Sequence, residues 1–301
     1  MRRFAISLLL IFVSLNARAA ELPPLVDSAW VRANIAKPGV VFLDVRSYGA
    51  YRASHIPGAV FTNYGRDGWR EKRDGVPGML PDMAHLEKLF GSLGIGNDTH
   101  VVIVPGGYGA GEMGVATRVF WTFKVAGLDT VSILNGGMES YLDFKTPPLE
   151  KDSAHPNKAT FKSQYRAKLV ATQDDIKAAV ASHHVLLDLR PNDQFLGVNK
   201  TDTVKRHGTL PGAINIPGTW LTEDDGGMFR NAATLKKLFA AANAPTTGEV
   251  ITFCNTGHWS SLGWFVQHEI LGNKDVRMYD GSLADWAAKD ANPLERKINL
   301  D

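Results

Sequence analysis

The stretch FLDVRSYGAYRASHIPGAV, Phe42 to Val60, returns later in the chain as LLDLRPNDQF, Leu186 to Phe195, and GTLPGAI, Gly208 to Ile214. Both copies hold the DxR and PGA landmarks, and the second spaces them about ten residues further apart. Further along, LEKLF (Leu86–Phe90) answers to LKKLF (Leu235–Phe239) and VVIVP (Val101–Pro105) to VITFC (Val250–Cys254). Last, NGGMESY (Asn135–Tyr141) answers to DGSLADW (Asp280–Trp286). Landmarks that recur in one order, at offsets of 144 to 154 residues, mark a duplicated domain. The predicted boundaries are 20–144 and 161–301, joined by the proline- and charge-rich linker 145–160.

Each copy alternates two kinds of segment. Short apolar runs (Val40 to Leu43, Val101 to Val104, Val131 to Leu134, Val185 to Leu187, Val250 to Phe253) read as buried parallel strands. Between them, Leu86, Leu89, Phe90 and Leu93 share one helical face, as do Leu235, Leu238, Phe239 and Ala242. The expected fold class is α/β, two tandem domains, each a parallel sheet flanked by helices. In such sheets the binding crevice lies at the carboxyl ends of the strands.

The N-terminus sets an expectation about compartment. Arg2 and Arg3, the apolar run Phe4 to Val13 and the A-x-A pattern at Ala17 to Ala19 predict a secretory signal peptide over 1–19, and hence a periplasmic or secreted protein. Its removal takes away Arg2, Arg3 and Arg18 and with them the excess of positive charge. Neither nucleic acid nor, after signal removal, a membrane is then an expected partner. With 44% hydrophobic and 21% charged residues the chain has an ordinary globular composition.

Cys254 is the one cysteine in 301 residues. It cannot form an intramolecular disulfide, so it is either an inert buried side chain or a working thiol. Its place at a strand end, ahead of Gly257 and a helix predicted from about Ser260 to Glu269, favours the second. Such a loop aims backbone N–H groups at the sulfur and forms an anion cradle. Thr256, Ser260 and Ser261 are candidate hydroxyl donors to it, although Ser260 also suits a helix start. Phosphatase loops share the layout but need an arginine six residues after the cysteine, and Ser260 stands there.

DLR (Asp188 to Arg190), LPGA (Leu210 to Ala213), the loop Cys254 to Trp259 and YDGSLADW (Tyr279 to Trp286) together resemble the rhodanese superfamily of sulfurtransferases. A cysteine-less first copy followed by a cysteine-bearing second copy resembles its tandem-domain thiosulfate and 3-mercaptopyruvate sulfurtransferases. The resemblance implies that Cys254 takes sulfur from a small-molecule donor, holds it as a persulfide and passes it to a thiophilic acceptor such as cyanide or a thiol. It implies no metal and no organic cofactor. The loop residues Asn255, Thr256, Gly257, His258, Trp259, Ser260 and Ser261 would line the persulfide, with Asp188 and Arg190 in support. A carrier that relays sulfur to or from a protein partner, without turnover, is the alternative.

Departures from the family bear on the donor. Thiosulfate-specific members carry basic residues directly after the cysteine, where this chain has Asn255 and Thr256, and tandem members a cation where it has Gln194. His258, as a cation or proton relay, and the inserted cluster Lys200, Lys205, Arg206 and His207 are candidate substitutes, against plain loop roles for all of them. Trp259 reads as a core anchor or a pocket wall. Asp44 with Arg46, and Asp188 with Arg190, read as internal contacts, Arg190 being the candidate pocket residue. GAGEMG (Gly109 to Gly114), with Asp129 beyond it, fits a dinucleotide fingerprint, but the repeat aligns it with the cysteine loop and its strand is not the first of its domain. The first domain is expected to wall the site, with Pro105 in the nucleophile's place.

Overall fold

The computed structural model describes residues 22–224 and 226–300. The predicted signal peptide lies outside them. Twelve strands occur among the described residues: β1 (Leu25–Val26), β2 (Val40–Asp44), β3 (Val60–Phe61), β4 (Glu71–Arg73), β5 (Val76–Met79), β6 (His100–Val104), β7 (Val131–Leu134), β8 (Val170–Ala171), β9 (Val185–Asp188), β10 (Ile214–Asn215), β11 (Val250–Phe253) and β12 (Val276–Tyr279). They form two five-stranded parallel sheets, in the orders β1-β7-β6-β2-β3 and β8-β12-β11-β9-β10, and the antiparallel hairpin β4-β5. The two sheets have one topology written twice, as the repeat predicts.

Local chemistry explains the repeated helices. Asp82 caps the helix Met83–Ser92 by accepting from the His85 N–H, and Asn231 caps Ala232–Ala241 by accepting from that of Thr234. Leu86, Phe90, Leu235 and Phe239 are the buried stripe in each. The helix Ala110–Ala126 differs, since 13 of its 17 residues are buried. A helix buried on nearly every face belongs in an interior, and one side of this one meets the second domain. Phe120 there stands edge-on to Phe265, ring centroids 5.0 Å apart, and one apolar core runs through both domains.

The linker is laid along the first domain. Glu150 pairs with His55, the Ala154 N–H donates to Tyr51 Oη at 3.0 Å, and the Ala159 N–H to Gly91 O at 2.9 Å. Predicted to end at residue 160, this run continues: Phe161 packs on Phe90 and Arg166 pairs with Asp129 before β8 opens the second sheet.

Each domain also sends a short arm across the other. The arm that includes β4-β5 ends at Leu80, whose N–H donates to Asp280 Oδ2 at 2.6 Å. In return the Phe229 N–H donates to Asn135 Oδ1 at 2.9 Å. Asn135 and Asp280 are repeat equivalents, so the exchange is reciprocal.

Candidate active site

Cys254 follows β11 directly and is 1% exposed. Asp188 lies opposite Phe253 in the β9–β11 register, which sets the DxR group beside the cysteine loop. Asp188 and Arg190 are fully buried and clasp each other at 2.6 Å; Arg190 Nη2 also reaches Gly208 O at 2.9 Å. They brace the strand end, with Arg190 Nη1 left without a hydrogen-bond partner among the described residues.

Two loop amides, Cys254 N–H and Gly257 N–H, both donate to Ser282 Oγ at 3.1 Å. Ser282 holds φ at +49°, a left-handed conformation that costs a non-glycine residue about 1–2 kcal/mol. Its hydroxyl also donates to Tyr279 O at 2.9 Å, so the strained residue ties together both ends of the loop. The amides of Asn255, Thr256, His258, Trp259 and Ser260 have no acceptor among the described residues. The last two begin the helix Trp259–Phe265, which widens into the π-helical turn Val266–Ile270. Unclaimed amides around a thiol make a site for negative charge on sulfur.

The structure sorts the predicted side chains. Ser260 is buried, with its Oγ 3.7 Å from Cys254 Sγ. Ser261, one position on, turns the other way: its hydroxyl meets Thr117 Oγ1 at 2.7 Å and His258 O at 2.7 Å. Successive helical residues differ by about 100° in direction, so both hydroxyls cannot face one sulfur. Trp259 packs on Gly218, where a side chain would run into its ring. Asn255 Nδ2 donates to Gln194 Oε1 at 2.9 Å, and its buried Oδ1 has no partner among the described residues. The two positions at which the sequence lacks the cations expected of a thiosulfate-specific relative thus form a neutral amide pair.

His258 is not a cation. Burial, reinforced by Arg70 and Arg118, pushes its pKa down to about 4 against the opposing pull of the Gly111 carbonyl. Gly111 O, 3.1 Å away, only accepts, so Nε2 carries the proton and Nδ1 accepts from Tyr64 Oη at 3.3 Å. The inserted cluster does not supply charge here either. Arg206 donates to the carbonyls of Ala287, Lys289 and Asn292, and Lys200 is exposed. With Lys205, His207, Leu294, Arg296 and Asn299, Arg206 lines a cavity of about 550 Å³ to which no residue of the cysteine loop contributes.

Sequence reasoning missed the residues the first domain brings. Arg118, fully buried, pairs with Asp280 at 2.6 Å and donates to Gly257 O at 3.0 Å; Arg70 Nη2 donates to Thr256 O. Both arginines also reach Gly78 O on the hairpin. Gly78-Met79-Leu80 and Gly227-Met228-Phe229 are a further repeat landmark, at an offset of 149, that points to the arms. The dinucleotide reading of Gly109 to Gly114 meets a physical obstacle: Glu112 Oε2 accepts from the Tyr108 N–H at 3.1 Å and fills that loop, while Asp129 is taken by Arg166 and Lys124.

Comparison with known proteins agrees with the geometry. The rhodanese-like domain model matches residues 27–143 and 172–289. Thiosulfate sulfurtransferase of Bos taurus is 32% identical over 280 residues, covering 87% of this chain and 91% of its own. Among solved structures, the 3-mercaptopyruvate sulfotransferase SseA of Escherichia coli superposes with a TM-score of 0.76 at 24% identity, over 87% of this chain and 99% of its own. Tum1 of Saccharomyces cerevisiae does so at 0.73 and 21%, over 91% and 98%. Two matched domains, one of them with a thiol among unclaimed amides, identify the chain as a member of the rhodanese-like sulfurtransferase family.

Proposed function

We propose that the protein moves sulfane sulfur through a persulfide on Cys254. The thiolate attacks the donor's outer sulfur. With thiosulfate the S–S bond breaks and sulfite leaves with the electron pair; with 3-mercaptopyruvate the C–S bond breaks and pyruvate leaves as its enolate, which takes up a proton. An acceptor, cyanide or a thiolate, then attacks the terminal sulfur and returns the Cys254 thiolate. The observation that carries this reading is the placing of a nearly sealed thiol among amides with no other acceptor, beside the Ser260 hydroxyl.

The neutral Gln194–Asn255 pair favours a singly charged donor of the 3-mercaptopyruvate kind over the thiosulfate dianion, since cations there would offset the desolvation of a second charge. A thiol 1% exposed admits small molecules more readily than a partner protein's cysteine, which favours an enzyme over a carrier. Export through residues 1–19 is part of the same proposal, tested by the mass of the protein recovered from the host's extracytoplasmic fraction.

Intact-mass spectrometry after brief exposure to each donor tests the chemistry. A gain of about 32 Da on the wild type and none on Cys254→Ser supports it; no gain with either donor removes small-donor catalysis in favour of the carrier.

A further inference from the structure

The cysteine loop is gripped from behind by the domain that has no cysteine. The peptide joining Thr256 and Gly257 is held at both ends, its carbonyl by Arg70 and its N–H by Ser282 Oγ. In the next peptide Arg118 Nη1 takes the Gly257 carbonyl at 3.0 Å, and the His258 N–H has no acceptor among the described residues. No described peptide is cis, and in a trans peptide C=O and N–H point in opposite directions. A guanidinium that fixes the oxygen on the first-domain side therefore turns the His258 N–H toward the other side of the loop. Gly257 is required for this approach: its φ is +75°, and a Cβ there would meet Arg118 and the Asp280 carbonyl.

We propose that Arg70 and Arg118 are positioning residues for the sulfur-bearing loop: Arg118 turns the His258 N–H to serve as a donor to an anion on Cys254, and Arg70 fixes the Thr256–Gly257 peptide against Ser282 and supplies from outside the positive charge the loop lacks. The inference rests on Cys254 as the nucleophile. The arginines divide the work. Arg118 is paired with Asp280, so its part is orientation. Arg70 has no carboxylate partner among the described residues, only the Gly78 and Thr256 carbonyls and the Tyr64 ring, so it adds positive charge as well. A guanidinium on a carbonyl oxygen polarises that peptide and strengthens its N–H as a donor: for Arg118 that N–H belongs to His258, and for Arg70 to Gly257, which ties the loop more firmly to Ser282 Oγ.

Arg70 is the residue to change, being half-buried where Arg118 is fully so. In the full-length chain, the rate of iodoacetamide alkylation at Cys254 is followed by mass at one fixed pH, with thermal denaturation as a check on folding. Arg70→Met is expected to slow alkylation about tenfold, and Arg70→Lys, which keeps the charge on a shorter reach, to recover most of the loss. In turnover the loss falls on kcat with the donor's KM little changed, because the arginine touches the loop and not the donor. Should Arg70→Met not fold, Arg70→Gln takes its place, with a loss of about three- to tenfold expected. Alkylation of the charge-removing variant at the wild-type rate overturns the proposal. Because alkylation needs no sulfur donor, a wild type that never gains sulfur would defeat the proposed function while the arginine test still gives its own answer.

Discussion

The loops Pro105–Glu112 and Cys254–Ser261 occupy the same place in two copies of one domain, and they have settled their electrostatics in opposite ways. In the second domain the amides of Asn255, Thr256, His258, Trp259 and Ser260 have no acceptor among the described residues, and the Ser260 hydroxyl stands 3.7 Å from the thiol. In the first, proline stands at the strand end and the Glu112 carboxylate is folded into the loop as its own anion. Behind each loop the turn that follows β7 or β12 differs as well. Gly137, at φ +60°, leaves the Pro105 carbonyl room; Ser282, its equivalent, accepts similar strain and uses a hydroxyl to tie two amides. A site for negative charge persists in both halves, and what differs is whether the protein fills it itself.

The largest effect is expected from moving the thiol from one loop to the other. Cys254→Ser with Pro105→Cys is expected to gain no sulfur from either donor by intact mass, a complete loss. The introduced thiol should alkylate at least about tenfold more slowly than Cys254, because Glu112 repels a thiolate there. Adding Glu112→Ser should raise that rate; if it does not, the carboxylate is not what silences the first loop.

A smaller effect is expected at Ser282. Ser282→Ala keeps the strained φ and strands two buried amides, a cost of about 2–4 kcal/mol, or roughly 5–10 °C in Tm. Ser282→Gly strands the same amides but relieves the backbone, so its Tm should lie above that of the alanine variant. Both should slow sulfur loading. Equal Tm values would mean that the left-handed φ carries no strain.

The smallest effect concerns His258. Its folded pKa near 4 lies below the ordinary value of 6.5, and burial does the same to His100. Between those pH values the unfolded chain binds protons that the folded chain refuses, so both histidines withdraw stability as pH falls from 6.5 toward 4. Tm measured at pH 7 and pH 4.5 should drop, and less in His258→Asn. Activity of that variant between pH 6 and 8 should keep the wild-type profile, since the ring is neutral throughout; a lost inflection would restore the proton-relay role.

The duplicated α/β fold and the thiol at a strand end were legible because both are local: DxR, LPGA and the LxKLF helices are written side by side with their partners' copies. Ser260 was legible for the same reason, six residues from the sulfur. The direction of the Ser261 hydroxyl, toward Thr117, was not legible, because adjacency along the chain says nothing about which way a helical start faces, and for His258 the plain loop reading was one of the two the sequence left open. Arg70, Arg118 and Tyr64 could not be found that way, since they lie 139 to 194 positions from the groups they hold. A search for what reaches the loop would have needed the arms, and their signal is three residues long.

The apolar core that runs without a break through both domains limits how the protein can move. Phe120 against Phe265, and the exchanged bonds of Leu80 and Phe229, leave no hinge about which the halves could part without exposing that core to water. Entry of a donor to Cys254 is then a matter of side chains and short segments moving on the nanosecond-to-microsecond scale, with no domain closure to wait for. Sulfur loading should follow donor concentration in one phase, and the two halves should melt as a single cooperative unit.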